Sequence, residues 1–478
     1  MWDFNHENAA MKLELSPAGE KIRRPAVAGA FYPGDREGLS RELAEMLEQT
    51  WEDAPAPAFP RVMIVPHAGY IYSGPVAATA YDRLRPARGI ATRVVLLGPA
   101  HRVAVRGLAL PGATAFDTPL GRIPVDAQAA ASLRDLPQVL ESREAHALEH
   151  SLEVQLPFLQ RVLGEFTLVP LVVGEATAEE VAQVLERLWG GPETIIVISS
   201  DLSHYLPYDD ARRIDGITAK AILGFDTSIS HEQACGATPV TGALIVARQR
   251  GLTARLLDLR NSGDTAGGKA QVVGYASFAF SEGDAQFGAE HGRTLLRLAR
   301  ASIGAALGID TEPGVPDDLW LRIARASFVT LKKDGTLRGC IGSLDARRPL
   351  GEDVIANARA AAFQDPRFRP LAREEFEAVD IEVSLLSTPR RIRFEDHDDL
   401  IRQLRPGEDG IILEDGDENA GRRATFLPQV WEGLPDPEQF LAHLKQKAEI
   451  PANVRTTRCK VLRYRALKWS EVEFGGGT

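Results

Sequence analysis

Short, unbroken apolar runs that end abruptly in polar residues set the pattern of the first half of the chain. Arg61–Val65, Arg93–Gly98, Phe166–Val173, Thr194–Ser199, Ala254–Leu259 and Val272–Phe280 read as strands. They are near-continuous rather than alternating, as expected of strands covered on both faces. Between them, apolar residues recur at three- and four-residue spacing. This predicts helices at Leu39–Trp51, Pro75–Leu84, Ser151–Val162, Ala178–Trp189, Asp215–Leu223 and Val240–Arg250. Strands alternating with helices predict an α/β domain on a mostly parallel central sheet.

The pattern changes after Ser281–Ala289, a polar, glycine-bearing stretch that reads as a linker. A helix over Arg293–Leu307 follows, then a hairpin turning at Lys333-Asp334-Gly335. GEDVIANARAAAF predicts a further helix, and AVDIEVSLLS a strand. GIILEDGDENAGRRATFLP predicts a strand pair joined by an acidic turn, Phe440–Lys447 a late helix, and KVLRYRALKW one closing strand. This half is α+β. Residues 1–22 are polar and predict a disordered lead-in without a signal-peptide apolar core.

Composition narrows the picture. At 478 residues the chain is long enough for two or three domains. A net charge of −11 without a basic stretch argues against nucleic acid as a partner. No apolar run approaches the roughly 20 residues of a membrane-spanning helix. Cys235, Cys340 and Cys459 are too scattered for a disulfide framework, which predicts a cytoplasmic location with reduced thiols.

The strand ends carry the candidate chemistry. RVMIVPHAGY delivers His67 and RVVLLGPAH delivers His101, while TIIVISSDLSH delivers Asp201 and His204. In parallel sheets, ligands bind outside the carboxyl ends of the strands. Gly69 is expected to let the first loop turn away from the site. Cys235, in QACGATPV, lies just before a predicted helix whose N-terminus would favour the thiolate. Two imidazoles and one anionic ligand with open positions suit non-haem iron, and sulfur keeps copper and zinc open. Asp201 and His204, spaced D-x-x-H, form a candidate acid/base pair in which the carboxylate orients the ring. HALEHSLEVQLPFLQ places Glu149, His150 and Glu153 within one predicted helical turn. Each feature also has a plain structural explanation. A lone histidine is commonly a hydrogen-bonded core residue, Cys235 a small buried apolar group, and Glu149 with Glu153 a solvated helix face. His146 is read as structural.

PAVAGAFYPGD, VPHAGYIYSGPVAATAY, LLGPAHRV, EHSLEVQLPFL, VVGEAT, ISSDLSHY and the CG of QACG together resemble the Memo family over residues 23–282. That resemblance implies a fold like the class III extradiol ring-cleaving dioxygenases. It implies metal ligands His67, His101 and Cys235, with His150, Asp201 and His204 lining the same cleft as catalytic groups. Iron(II) or copper is the implied cofactor, with zinc possible. Residues 290–472 are similar to the AMMECR family through LRGCIG, AAFQDPRF and LPQVWEG. Chains carrying both units resemble components of AmmeMemoRadiSam systems, which implies a separate radical S-adenosylmethionine enzyme as partner. In LRGCIG, Arg338 beside Cys340 would lower the thiol pKa; the alternative is a packed hairpin strand. Asp365, Arg367 and Phe368 are candidates for the same groove.

Three functions fit these residues: a metal-dependent oxidoreductase acting on a small molecule, a binding or scaffold module for the radical enzyme, and a zinc-dependent hydrolase.

Overall fold

The computed structural model describes residues 21–50, 55–283, 286–416, 421–451 and 453–474, and in it the buried runs become the centre of one large sheet. The chain divides into two compact units, Met1–Thr50 with Pro60–Gly283, and Trp51–Phe59 with Asp284–Thr478. Of the expected disordered lead-in over 1–22, residues 1–20 lie outside the described residues, as do 284–285 of the expected linker, while Ile22 is buried in a short strand.

The first unit begins β1 (Ile22–Arg23), α1 (Arg36–Glu48), β2 (Val62–Val65), α2 (Tyr70–Tyr81) and β3 (Arg93–Pro99). It continues β4 (Leu108–Leu110), β5 (Ala115–Thr118), β6 (Gly121–Pro124), α3 (Ala127–Ala131), β7 (Val139–Glu141) and α4 (Arg143–Ala147). Then come α5 (Leu156–Leu163), β8 (Thr167–Val173), α6 (Ala178–Leu188), β9 (Thr194–Ser199) and β10 (His204–Leu206). It closes with α7 (Tyr208–Leu223), α8 (Ala237–Gln249), β11 (Thr253–Asn261) and β12 (Val272–Ser281).

The main sheet has the order β10-β12-β2-β9-β3-β8-β4-β7, with β11 paired to β12. Its four central strands, β2, β9, β3 and β8, are mutually parallel. The flanks are mixed: β12 runs antiparallel to β2, and β4 antiparallel to β8. Every residue of β2 and β9 is buried, as the apolar runs Val62–Val65 and Ile195–Ile198 require. One face packs against α6 and α8 through Val181, Leu185, Val240 and Leu244. Helices α2 and α5 pack together through stacked Tyr81 and Phe158, whose ring centroids lie 4.9 Å apart.

Several helices start away from the expected residue, α7 at Tyr208 rather than Asp215 among them, and two of these shifts bear on the site. Helix α2 begins at Tyr70 rather than Pro75, because Gly69 caps it: its carbonyl accepts from Tyr72 N–H and Ser73 N–H. Gly69 itself has an ordinary φ of −57°, so the loop does not need its conformational freedom. The helix expected at Ser151 starts at Leu156 after a short 3-10 turn, Glu153–Gln155. Glu149 and His150 therefore lie on a loop, not on a helical turn. The short strands between residues 108 and 141 carry too few residues to show a period.

The second unit runs α9 (Ala289–Ala306), α10 (Leu319–Arg322), β13 (Ser327–Lys333), β14 (Thr336–Gly342), α11 (Leu350–Phe363) and β15 (Val379–Leu386). It continues β16 (Arg390–Arg391), α12 (His397–Gln403), β17 (Gly410–Glu414), β18 (Arg423–Phe426), α13 (Pro437–Lys447), β19 (Lys460–Tyr464) and β20 (Ala466–Ser470). Two antiparallel sheets result, ordered β14-β13-β15-β20 and β16-β19-β17-β18. Helices α9 and α11 cover the first through Leu295, Ala299, Val354 and Ala358. The hairpin turns where expected, with Asp334 and Gly335 at φ of 50° and 75°, the left-handed pair that a tight hairpin needs. The single closing strand expected over 460–469 is two strands, broken at Arg465, and each joins a different sheet. Residues 417–420 of the acidic turn lie outside the described residues. Among the described residues, no helix is long and apolar enough to cross a membrane.

Candidate metal centre

Strand β9 lies between β2 and β3, so the three carboxyl ends are side by side. His67 follows β2 by two residues, His101 follows β3 by two, and Asp201 follows β9 by two. His150 joins them from the loop between α4 and α5. Imidazole nitrogens of His67, His101 and His150 all lie within 4.8 Å of one another. An ion about 2.1 Å from each ligand holds its ligands roughly 3–4 Å apart, so the set is near that spacing.

The surrounding hydrogen bonds fix how the rings present themselves. Ser199 Oγ has one proton, donated to the Ser151 carbonyl. It therefore accepts from Gln155 Nε2 at 2.8 Å and from His67 Nδ1 at 2.9 Å. That assigns the proton of His67 to Nδ1 and leaves Nε2 with a bare lone pair. His101 Nδ1 lies 3.0 Å from Glu149 Oε1, which only accepts, so Nδ1 carries a proton and the neutral tautomer of this ring presents Nε2 bare. An imidazole steered by an acceptor behind it is the usual support of a metal-binding histidine.

Glu149 organises the loop. Its carboxylate accepts from the backbone N–H of His101 at 2.6 Å, and from those of His150 and Ser151 at 2.9 Å. Burial acts to raise its pKa, yet the hydrogen bonds from His101 and His150 outweigh it and hold the carboxyl well below its ordinary range. His150 Nδ1 faces the same carboxylate at 3.3 Å, a longer contact than those of the backbone N–H groups. Phe31 walls this ring at 5.0 Å between centroids.

Cys235 precedes α8, and its Sγ lies 3.4 Å from His67 Nε2. The thiolate expected from the helix N-terminus does not form by itself. Burial, reinforced by the charge of Asp201, pushes the thiol up to about 12. Burial likewise lowers His67 to about 4, against the pull of Asp201. Thiol and imidazole therefore meet as neutral groups. A cation placed between them would reverse that preference, because a coordinating thiol is deprotonated.

Asp201 Oδ1 accepts from His67 N–H at 2.7 Å, and the Asp201 carbonyl accepts from Cys235 N–H at 3.2 Å. Asp201 thus ties the His67 and Cys235 segments together. No hydrogen bond joins it to His204 among the described residues. His204, half-buried on β10, is edge-on to Tyr205 at 5.8 Å and stands outside the three-imidazole group.

Glu149 and Glu153 are 2% and 0% exposed, which overturns the solvated-face explanation. Glu153 pairs with buried Arg23 and accepts from Ala26 N–H, Val27 N–H and the Tyr32 hydroxyl. His146 is structural: its Nε2 donates to the Ala109 carbonyl at 2.7 Å. Ser199 and Gln155 were not legible as site residues, since serine at a strand end and glutamine near a helix start are common.

The donor set fits a transition metal. The Nε2 atoms of His67 and His101, a third imidazole held near Glu149, and a sulfur beside the first ring form a borderline-soft cluster.

In the second unit, the Cys340 N–H donates to Asp365 Oδ2 at 2.8 Å, and Arg367 donates to the Cys340 carbonyl at 3.2 Å. Thr330 Oγ1 lies 3.3 Å from Cys340 Sγ. Arg338 is occupied elsewhere, paired with Glu375 at 2.9 Å. A Cβ on Gly339 would stand 2.2 Å from the Ala361 carbonyl oxygen, which accounts for a glycine there.

Comparison with known proteins matches this architecture. The family described as Memo-like protein covers residues 23–279. The chain belongs to the Memo family. An AMMECR1 domain follows at residues 296–469. A MEMO1 family protein of Aquifex aeolicus is 36% identical over 273 residues, 54% of this chain and 99% of that protein. One from Aeropyrum pernix is 38% identical over 280 residues, 53% of this chain and 98% of that protein. The Memo half alone thus accounts for the whole length of these relatives. A solved structure of an uncharacterized protein from Pyrococcus horikoshii is 32% identical, covering 38% of this chain and 93% of that one, with a TM-score of 0.35.

Proposed function

We propose that the Memo half holds iron or copper and acts as an oxidoreductase on a small molecule. The observation that carries this reading is the convergence of His67, His101 and His150 at adjacent strand ends, with Cys235 against His67. His67 and His101 hold the metal through Nε2, each steered from behind by Ser199 or Glu149. Cys235 supplies the third ligand as a thiolate, so loading releases its proton to solvent. When bound, the metal supplies Lewis acidity and one-electron chemistry toward dioxygen or a reducible substrate. His150, whose Nδ1 lies 3.3 Å from the Glu149 carboxylate, carries protons at the cleft wall; His204 is the second acid/base group. Asp201 keeps the His67 and Cys235 segments in register. The AMMECR1 domain docks a separate radical S-adenosylmethionine enzyme, and the free thiols fit a cytoplasmic setting.

A second reading, a zinc hydrolase, draws on the three converging imidazoles, a set that suits zinc with an open position. Elemental analysis of anaerobically purified protein, followed by oxygen-uptake assays, separates the two. Iron or copper lost in the His67→Ala, His101→Ala double variant supports the oxidoreductase. Equal metal in both proteins overturns either metal reading. Zinc with no oxygen consumption favours the hydrolase, and partner affinity that survives metal loss favours a scaffold.

A further inference from the structure

The first unit carries a basic cleft that the proposed metal chemistry does not use. It encloses about 300 Å³ and is lined by Arg36, Arg88, Arg122 and Arg161, with Ser40 as a hydroxyl and Glu165 as its one carboxylate. In a chain of net charge −11, four guanidiniums around one opening need a reason. Arg122 has a counter-ion, donating to Asp117 Oδ1 at 3.0 Å. Arg36, Arg88 and Arg161 make no ion pair among the described residues.

Two of the arginines are held in place by the backbone. Arg36 donates to the Leu120 carbonyl, and Arg88 donates to the carbonyls of Val162 at 3.1 Å and Arg161 at 2.6 Å. Each guanidinium has five N–H donors, so both keep donors to spare. Arg161 makes no side-chain hydrogen bond among the described residues. A plain capping role explains Arg88, which satisfies the end of α5. It does not explain why Arg36, Arg122 and Arg161 face the same opening. Planar guanidiniums match oxyanions in bidentate geometry, and a phosphate group carries about −1.5 to −2 charges at neutral pH.

We infer that this cleft binds a small phosphorylated molecule. Titration calorimetry of the full chain with inorganic pyrophosphate tests it, with citrate as the carboxylate control. The His67→Ala, His101→Ala background removes binding through the metal centre. One saturable site is expected in that background, weakened by sodium chloride and weaker still for citrate. Arg161→Glu and Arg36→Gln should each weaken it at least tenfold. The inference is overturned if pyrophosphate does not saturate, if both variants bind unchanged, or if citrate binds as tightly. Because Arg161 holds nothing in the fold with its side chain, Arg161→Glu keeps the test independent of folding.

Discussion

Ser199 Oγ lies 2.9 Å from His67 Nδ1 and has already given its proton to the Ser151 carbonyl, so the ring must donate at that end. Its other nitrogen is thereby turned, unprotonated, toward Cys235 and the centre of the site. Ser199→Ala removes the acceptor without touching a metal-facing atom. Loss of such support costs roughly 10–100-fold in metal affinity. Competition with a chromophoric chelator should show a drop of that size, with the fold retained by circular dichroism. Unchanged affinity would mean that the tautomer is not set here.

Cys235 is the soft member of the set. Cys235→Ser should shift retention from copper toward zinc, since thiolate favours copper(I). Loading of the wild type in weak buffer should release one more proton per chain than loading of the variant. Equal proton release would remove Cys235 from the ligand set.

Glu153 is wholly enclosed and neutralises Arg23, itself 7% exposed. Breaking a buried pair by removing one partner costs about 3–5 kcal/mol. Glu153→Ala should therefore lower the denaturant midpoint sharply, and Glu153→Gln less so. A loss below about 1 kcal/mol, the scale of an exposed pair, would contradict the burial.

His146 gives a pH signature away from the metal-facing atoms. Burial lowers its pKa from 6.5 to about 4, against the hydrogen bond to Ala109. The unfolded chain thus binds this proton first as pH falls. Stability is full above pH 6.5 and is lost down to pH 4, by about 3 kcal/mol for a shift of this size. His146→Gln keeps a donor for the Ala109 carbonyl and should flatten the profile in that window. Parallel wild-type and variant profiles would sink the assignment.

In the AMMECR1 domain, Gly339→Ala sets a methyl group 2.2 Å from the Ala361 carbonyl oxygen. Overpacking of this kind costs roughly 1–3 kcal/mol. Thermal unfolding followed by intrinsic fluorescence should show a lowered midpoint; a neutral substitution would mean that α11 yields.

The central strands were legible because a strand covered on both faces has an apolar interior, as Val62–Val65 and Ile195–Ile198 have. His67, His101 and Asp201 were legible for the same reason, as polar residues placed just past such runs. His150 was harder. Its loop resembles the start of a helix in sequence, and only the fold reveals that Glu149 turns inward to bind the His101 backbone. The protonation of Cys235 was misjudged because proximity to a helix N-terminus is visible in sequence, while the burial that outweighs it is not. Position Arg465 was missed because ten residues of strand-forming sequence carry no mark of where one sheet hands over to the next.

That handover orders events as the chain is made. Strand β19 is interior to its sheet, between β16 and β17, yet it is synthesised after both. Until Lys460–Tyr464 leaves the ribosome, the β17–β18 hairpin has no third strand, and an isolated hairpin is marginal in water. The second sheet is therefore a late-closing element, exposed to nascent-chain proteases and chaperones while the Memo half, translated first, is free to fold.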